Sequence, residues 1–283
     1  MYAKIIVAAD GSPSSLNALR QAFLIEKDWV TVACIAPPYE GDLELLDLGL
    51  LREDVQSLMM APCDKALAAA EEIAAREQAS IKTVCEYGKP HEGIVDIAEA
   101  RGCDLIVMGR KGYGVIERAL MGSVTARVIG FSPLDVLVIP QGASLGWERI
   151  LLATDGSEYS KNATIRAMAL AKNYGSELKV VSATDVAPEI HAESPGLAEK
   201  LCEGPRYCVA DVREQALRMD VHPDCVVRQD KAYKAILSLA EQQKANLVVV
   251  GSHGRTGLKR LLMGSVTERV IGHSTCPVLV VKR

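Results

Sequence analysis

Aromatic side chains are scarce in this chain, with two Trp and two Phe among 283 residues. Its cores must therefore be built from Ile, Leu, Val and Ala, and a hydrophobic content of 49% supplies enough of them. No apolar run approaches the roughly 20 residues that span a bilayer, so no membrane helix is expected. Positive charge is not in excess: 32 Lys and Arg face 36 Asp and Glu, a formal net charge of -4. Electrostatics thus gives no reason to expect nucleic acid or an anionic membrane as partner. The eight cysteines form no CxxC pair. Neither His222-Pro-Asp-Cys225 nor Cys202 with Cys208 supplies a four-ligand zinc set at a known spacing, so no metal site is expected. Reduced, mostly buried thiols in a cytoplasmic protein are the expectation. The start, Met1-Tyr-Ala-Lys-Ile-Ile-Val, lacks a signal-peptide layout. A GxxxxGK[ST] lysine and a kinase-like catalytic loop are also missing, and with them the usual machinery of phosphoryl transfer.

What the chain does contain is a long spaced motif, and it occurs twice. Gly109 to Ser123 reads GxxG, nine residues, then GS, and Gly251 to Ser265 spells the same pattern. At this offset of 142 residues, Leu120 to Thr125 is identical to Leu262 to Thr267, and Arg127 to Gly130 to Arg269 to Gly272. Upstream, Lys4 to Ser12 matches Arg149 to Ser157. A period this long suits duplication of a whole domain rather than a solenoid. Two domains are expected, residues 1–142 and 147–283, joined by the segment from Pro140 to Gly146.

Within each half, strand and helix signals alternate. Ile5 to Ala9, Val30 to Ala36, Ile81 to Cys85, Leu105 to Met108 and Val136 to Ile139 read as strands buried on both faces. Helical stretches lie between them: Ser14 to Ile25, Ala61 to Gln78, His91 to Arg101 and Ser123 to Phe131. The second half repeats the strands at Ile150 to Thr154, Leu178 to Ala183, Cys225 to Val227, Leu247 to Val250 and Val278 to Val281. The fold class is therefore α/β, with two tandem, open, parallel five-stranded sheets of Rossmann-like order 3-2-1-4-5 and helices on both faces. In that order strands one and four are neighbours where the winding reverses, and ligands bind at their carboxyl ends. Asp10 follows strand one and the Gly109 loop follows strand four, so both signals converge on one crevice per half.

Residue types describe the chemistry of that crevice. Gly109, Gly112 and Gly122 let main-chain N–H groups approach an anion. Ser123 opens a helix whose first amides and dipole favour phosphate, with the Ser123 and Thr125 hydroxyls as added donors. Asp10 can accept from a ribose hydroxyl or a base edge. Together they fit a nucleoside polyphosphate. The same residues also have a structural reading, because Asp10-Gly-Ser12-Pro13 is a good helix start, with Ser12 as cap and Pro13 in the first turn.

With Asp10 and Asp155 after the first strands, the repeated GxxG(x9)GS loops, and the endings Val136-Leu-Val-Ile139 and Pro277-Val-Leu-Val-Val281, the chain resembles tandem members of the universal stress protein family over essentially its whole length. The resemblance implies an open α/β sheet, pairing through the last strands and, in many members, bound ATP carrying Mg or Mn on its phosphates. Carried onto the second half, it implies that Thr154 and Asp155 meet the base and ribose, Ala183 flanks adenine and Val250 closes over it. Gly251, His253, Gly254, Gly264, Ser265, Val266 and Thr267 would hold ribose and phosphates. In the first half the matching residues are Ala9, Asp10, Ile35, Met108, Gly109, Lys111, Gly112, Gly122, Ser123, Val124 and Thr125. Ala9 stands in place of Thr and Ile35 in place of Ala, and the bulk of Ile35 beside the base favours the second site. The turn Gly88-Lys-Pro90 also has a weaker counterpart in Asp230-Lys-Ala232.

The expected function is that of an ATP-binding stress-response or regulatory protein. Two alternatives stay open: an interaction protein of the same fold without nucleotide, and a slow ATPase. An enzyme of the wider adenine-nucleotide α-hydrolase group ranks last, since no SGGxDS-like loop follows the first strand. Residues 42–60, Leu-rich and acidic with helical spacing, offer either a helix packed on its own domain or a protein-partner surface. Antiparallel pairing of Val278 to Val281 with Val136 to Ile139 would protect both exposed edges and give an internal pseudo-dimer, with a homodimer of that unit also compatible.

Overall fold

A computed structural model of the chain describes residues 2–26, 28–38, 52–112, 121–185, 194–254 and 263–282. In the first half the order is β1 (Ile5–Ala8), α1 (Pro13–Ala22), β2 (Val30–Ala36), α2 (Arg52–Arg76), β3 (Ile81–Tyr87), α3 (Pro90–Ala100), β4 (Leu105–Gly109), α4 (Ser123–Phe131) and β5 (Asp135–Ile139). The second half runs β6 (Arg149–Ala153), α5 (Glu158–Tyr174), β7 (Glu177–Thr184), α6 (Pro195–Arg218), β8 (Asp224–Gln229), α7 (Ala232–Gln242), β9 (Leu247–Gly251), α8 (Ser265–His273) and β10 (Val278–Val281).

The strands form one mixed sheet in the order β3-β2-β1-β4-β5-β10-β9-β6-β7-β8. Each half thus shows the expected order 3-2-1-4-5 with parallel neighbours. The halves meet where β10 pairs antiparallel with β5, Leu279 opposite Leu137. Both last strands are thereby interior, which removes two unpaired edges.

Alternation along the buried strands sends side chains to two cores. Ile5 and Val7 face one, against Leu19 of α1, Ala70 of α2, Ala167 of α5 and Val212 of α6. Ile6 and Ala8 face the other, against Ile94 of α3, Ile129 of α4, Leu239 of α7 and Ile271 of α8. Leu137 and Leu279 belong to the first core and Val136 and Val280 to the second, so both cores run unbroken across the seam.

Two sequence expectations need correction. The strand at Ile81 is not buried on both faces: β3 is half-buried to exposed along its length, as is β8. Both are the outermost strands, and Lys82, Glu86 and Arg228 supply the charge that discourages edge pairing. The helix expected from Ala61 begins earlier, at Arg52, and passes through Pro62. Residues 52–60 of the Leu-rich stretch are therefore helical, whereas 42–51 lie outside the described residues. In α6, Pro205 removes the amide that would bond the Leu201 carbonyl, and Thr184 Oγ1 donates to that carbonyl at 3.4 Å instead.

Candidate functional site

The carboxyl ends of β6 and β9 flank a cavity of about 340 Å3. Its rim starts at Thr154 and Asp155. The Ser157 amide donates to Asp155 Oδ1 at 3.0 Å, and Ser157 caps α5 by accepting from the Ser160 amide at 3.3 Å. Gly156, at φ 78°, makes the left-handed turn between them. This local hydrogen-bond set holds the Asp155 carboxylate at the cavity mouth.

Opposite stands the glycine loop. A Cβ on Gly254 would lie 2.9 Å from Asp155 Oδ2, so this glycine allows the loop to approach the carboxylate. The Gly264 amide donates to the Ser252 carbonyl at 2.9 Å, closing the loop onto the start of α8. Gly264 is the N-cap of that helix and makes no side-chain cap bond to the first amides of α8, and a helix N-terminus of this kind suits an anion. His253 is also on the wall, its ring 5.0 Å from that of Tyr159 and its Nδ1 3.2 Å from Ser252 Oγ. Val181, Ile236 and Val250 make the apolar wall.

The first half repeats the construction around a cavity of about 260 Å3. Asp10 Oδ1 accepts from the Ser12 amide at 3.0 Å, and Ser12 Oγ from the Ser15 amide at 3.2 Å. A Cβ on Gly112 would lie 2.1 Å from Asp10 Oδ2. The Gly122 amide donates to the Arg110 carbonyl at 2.9 Å, and Gly122 caps α4 without a side-chain bond. The structural reading of Asp10-Gly-Ser12-Pro13 holds: Ser12 is the N-cap of α1 and Pro13 opens the helix.

Every residue expected at the two sites lies on its cavity wall. Thr154, Asp155, Ala183, Val250, Gly251, His253, Gly254, Gly264, Ser265, Val266 and Thr267 surround the second. Ala9, Asp10, Ile35, Met108, Gly109, Lys111, Gly112, Gly122, Ser123, Val124 and Thr125 surround the first. One role changes. The buried Thr125 and Thr267 hydroxyls donate to the carbonyls of Gly109 at 3.1 Å and Gly251 at 2.8 Å. Their protons are used inside the protein, tying each helix to its loop, so they are not free phosphate donors.

Sequence reasoning did not place a helix on either cavity wall, yet Pro90 and Ile94 of α3 line the first cavity and Ala232 and Ile236 of α7 the second. The only signal was the position of the Gly88-Lys-Pro90 turn. The weakened turn at Asp230-Lys-Ala232 still starts its helix in register, with Lys231 as N-cap at φ -54°, ψ 126°, close to Lys89 at φ -73°, ψ 120°.

The model of the universal stress protein family matches residues 1–140 and again 146–282. A universal stress protein of Methanocaldococcus jannaschii is 35% identical over 150 residues, covering 52% of this chain and 88% of the relative. A universal stress protein of Mycobacterium tuberculosis is 30% identical over 247 residues, covering 83% of this chain and 79% of its own. Among solved structures, one of a universal stress protein from Archaeoglobus fulgidus superposes with a TM-score of 0.74 at 20% identity, over 100% of this chain and 96% of that one, a likeness of fold. Among the described residues, no helix is long and apolar enough to cross a membrane.

Proposed function

The chain belongs to the universal stress protein family, and on that premise we propose that it is an ATP-binding regulatory protein whose residues 1–142 and 147–283 are two nucleotide-binding domains. The carrying observation is the pairing, in each half, of a carboxylate with a glycine loop and an uncapped helix N-terminus around one cavity. Apolar wall beside Asp155 suits a base, the carboxylate suits ribose hydroxyls, and the first amides of α8 suit phosphate. Both volumes are near the lower end of ordinary ligand cavities, about 300 Å3 upward, with the second the roomier. The second cavity is accordingly the tighter site. A Mg or Mn ion would arrive with the ATP, held by phosphate oxygens. Binding rather than turnover is the role: the groups on the wall hold and orient a nucleotide, and the state of occupancy is what a protein partner would sense.

The test is calorimetry of the full chain with magnesium ATP, together with mass identification of nucleotide released from freshly purified protein by denaturation. ATP uptake is expected. Gly264→Val should remove the tighter transition, because the branched methyls fill the phosphate end, while the circular dichroism spectrum is preserved, since the nearest backbone atom, His253 Cα at 3.3 Å from a Cβ there, need give by only a few tenths of an ångström. Absence of released nucleotide together with absence of uptake would turn the assignment to an interaction protein of the same fold.

A further inference from the structure

Arg110 stands between Gly109 and Lys111, two wall residues of the first cavity, and its carbonyl closes that cavity's loop by accepting from Gly122. Its guanidinium, however, serves the other half. Nη1 donates to the Ser274 carbonyl at 2.8 Å and shares contacts with the carbonyls of Gly272 at 3.2 Å and Ile271 at 3.4 Å. These are unsatisfied acceptors at the carboxyl end of α8, where a cation also meets the negative end of the helix dipole. The opposite end of α8, Ser265 to Thr267, is the phosphate wall of the second cavity. A nine-residue helix is about 13 Å long and stiff. One residue thus joins the rim of the first cavity to the rod that shapes the second.

The return link is built differently. Lys282, from the second half, donates through Nζ to the Ile129 carbonyl at the end of α4, the position equivalent to Ile271. Lys282 follows β10 and belongs to neither glycine loop. The residue equivalent to Arg110 is Ser252, which is fully buried and too short to cross the seam. A direct connection from a glycine loop to the opposite phosphate helix therefore runs from the first half to the second.

We propose that Arg110 couples the two cavities, so that a ligand held in the first by Gly109, Lys111 and Gly112 fixes the guanidinium against α8 and strengthens binding at the second cavity. This rests on the reading that both cavities take ATP. The coupling is positive because a first ligand that fixes Arg110 also holds α8, whose first turn lines the second cavity, in the position the second ligand meets, and linkage makes it reciprocal in affinity.

The experiment uses the full chain and magnesium ATP. Ser123→Glu blocks the first cavity by placing negative charge where phosphate would sit, at a helix position that tolerates it. This block should weaken second-cavity binding about fivefold in calorimetry. In an Arg110→Met background the same block should leave second-cavity affinity unchanged. Arg110→Lys, which keeps a cation without the fork, should retain part of the effect and serves if the Met variant does not fold. Equal second-cavity affinity with the first cavity open or blocked overturns the coupling, as does a fivefold effect that survives in Arg110→Met. In both cases ATP still binds and the functional reading stands. Absence of ATP uptake in every chain overturns that reading, and the coupling with it.

Discussion

Ile35 leans on Gly93: a Cβ built on Gly93 would lie 3.1 Å from Ile35 Cδ1, with Cγ1 and Cγ2 at 3.2 and 3.3 Å. The second half has Ala183 and Ala235 at these places. Bulk lost on the helix is gained on the strand, so Ile35 packs toward α3 and the first cavity stays open, though smaller. Ile35→Ala is predicted to tighten ATP binding at the first cavity by on the order of tenfold, measured by calorimetry in the Gly264→Val background. It should also cost about 2–4 kcal/mol of stability, because Ile35 is buried. Weaker binding in this variant would show that Ile35 contacts the base favourably.

The glycines of the first loop should differ in sensitivity. A Cβ on Gly109 would meet Ser14 backbone carbon at 2.8 Å, so Gly109→Ala requires β4 or α1 to shift. A Cβ on Gly122 has only ordinary contacts, the nearest at 3.5 Å. Urea unfolding should show Gly109→Ala destabilised by about 1–3 kcal/mol and Gly122→Ala within about 1 kcal/mol of the parent. Similar losses in both would contradict this account of the loop.

Asp135, buried at the start of β5, ties the halves together. It accepts from the Tyr2 hydroxyl at 2.5 Å and the Lys282 amide at 2.9 Å, and Arg166 Nε lies 3.1 Å away. Arg166 also sits over the Tyr2 ring at 4.7 Å. Burial first, and then the Asp135 charge, push the Tyr2 phenol well above its usual range. Asp135→Ala strands a buried hydroxyl and a buried amide. We predict a loss of about 3 kcal/mol in urea, since Arg166 remains partly solvated, and a larger rise in hydrogen-exchange rate in β5 and β10 than in β3.

Stability should fall at alkaline pH. Burial, with the neighbouring Cys63 thiol and Asp64, pushes the Cys85 thiol from 9.0 up to about 11, and burial raises Cys34, Cys103, Cys225 and Cys276 as well. Below pH 9 these thiols are protonated in both states. Above it the unfolded thiols ionise while the folded ones stay neutral, so the unfolded state binds fewer protons and stability drops up to about pH 11. Urea midpoints across that window should decline, and Cys85→Ala should flatten the decline. An unchanged slope in Cys85→Ala would assign the loss to other groups.

The amino-acid sequence by itself determined the duplicated α/β architecture and the carboxylate and glycine-loop walls of both cavities. Short apolar runs alternating with amphipathic ones leave little choice but a covered parallel sheet, and a switch point brings the ends of strands one and four together whatever the side chains are. Asp10, Asp155 and the glycine loops were therefore legible from local pattern alone. Only the tertiary structure decided what depends on contacts between distant segments. It made β3 and β8 half-exposed, because they are the strands without an outer neighbour. It turned the Thr125 and Thr267 hydroxyls inward, because the carbonyls of Gly109 and Gly251 lie within reach. It also set Ile35 against Gly93, Arg110 against the end of α8, and Asp135 at a seam between residues from both ends of the chain. No periodicity encodes such pairings, since each partner is unremarkable until folding brings the two together.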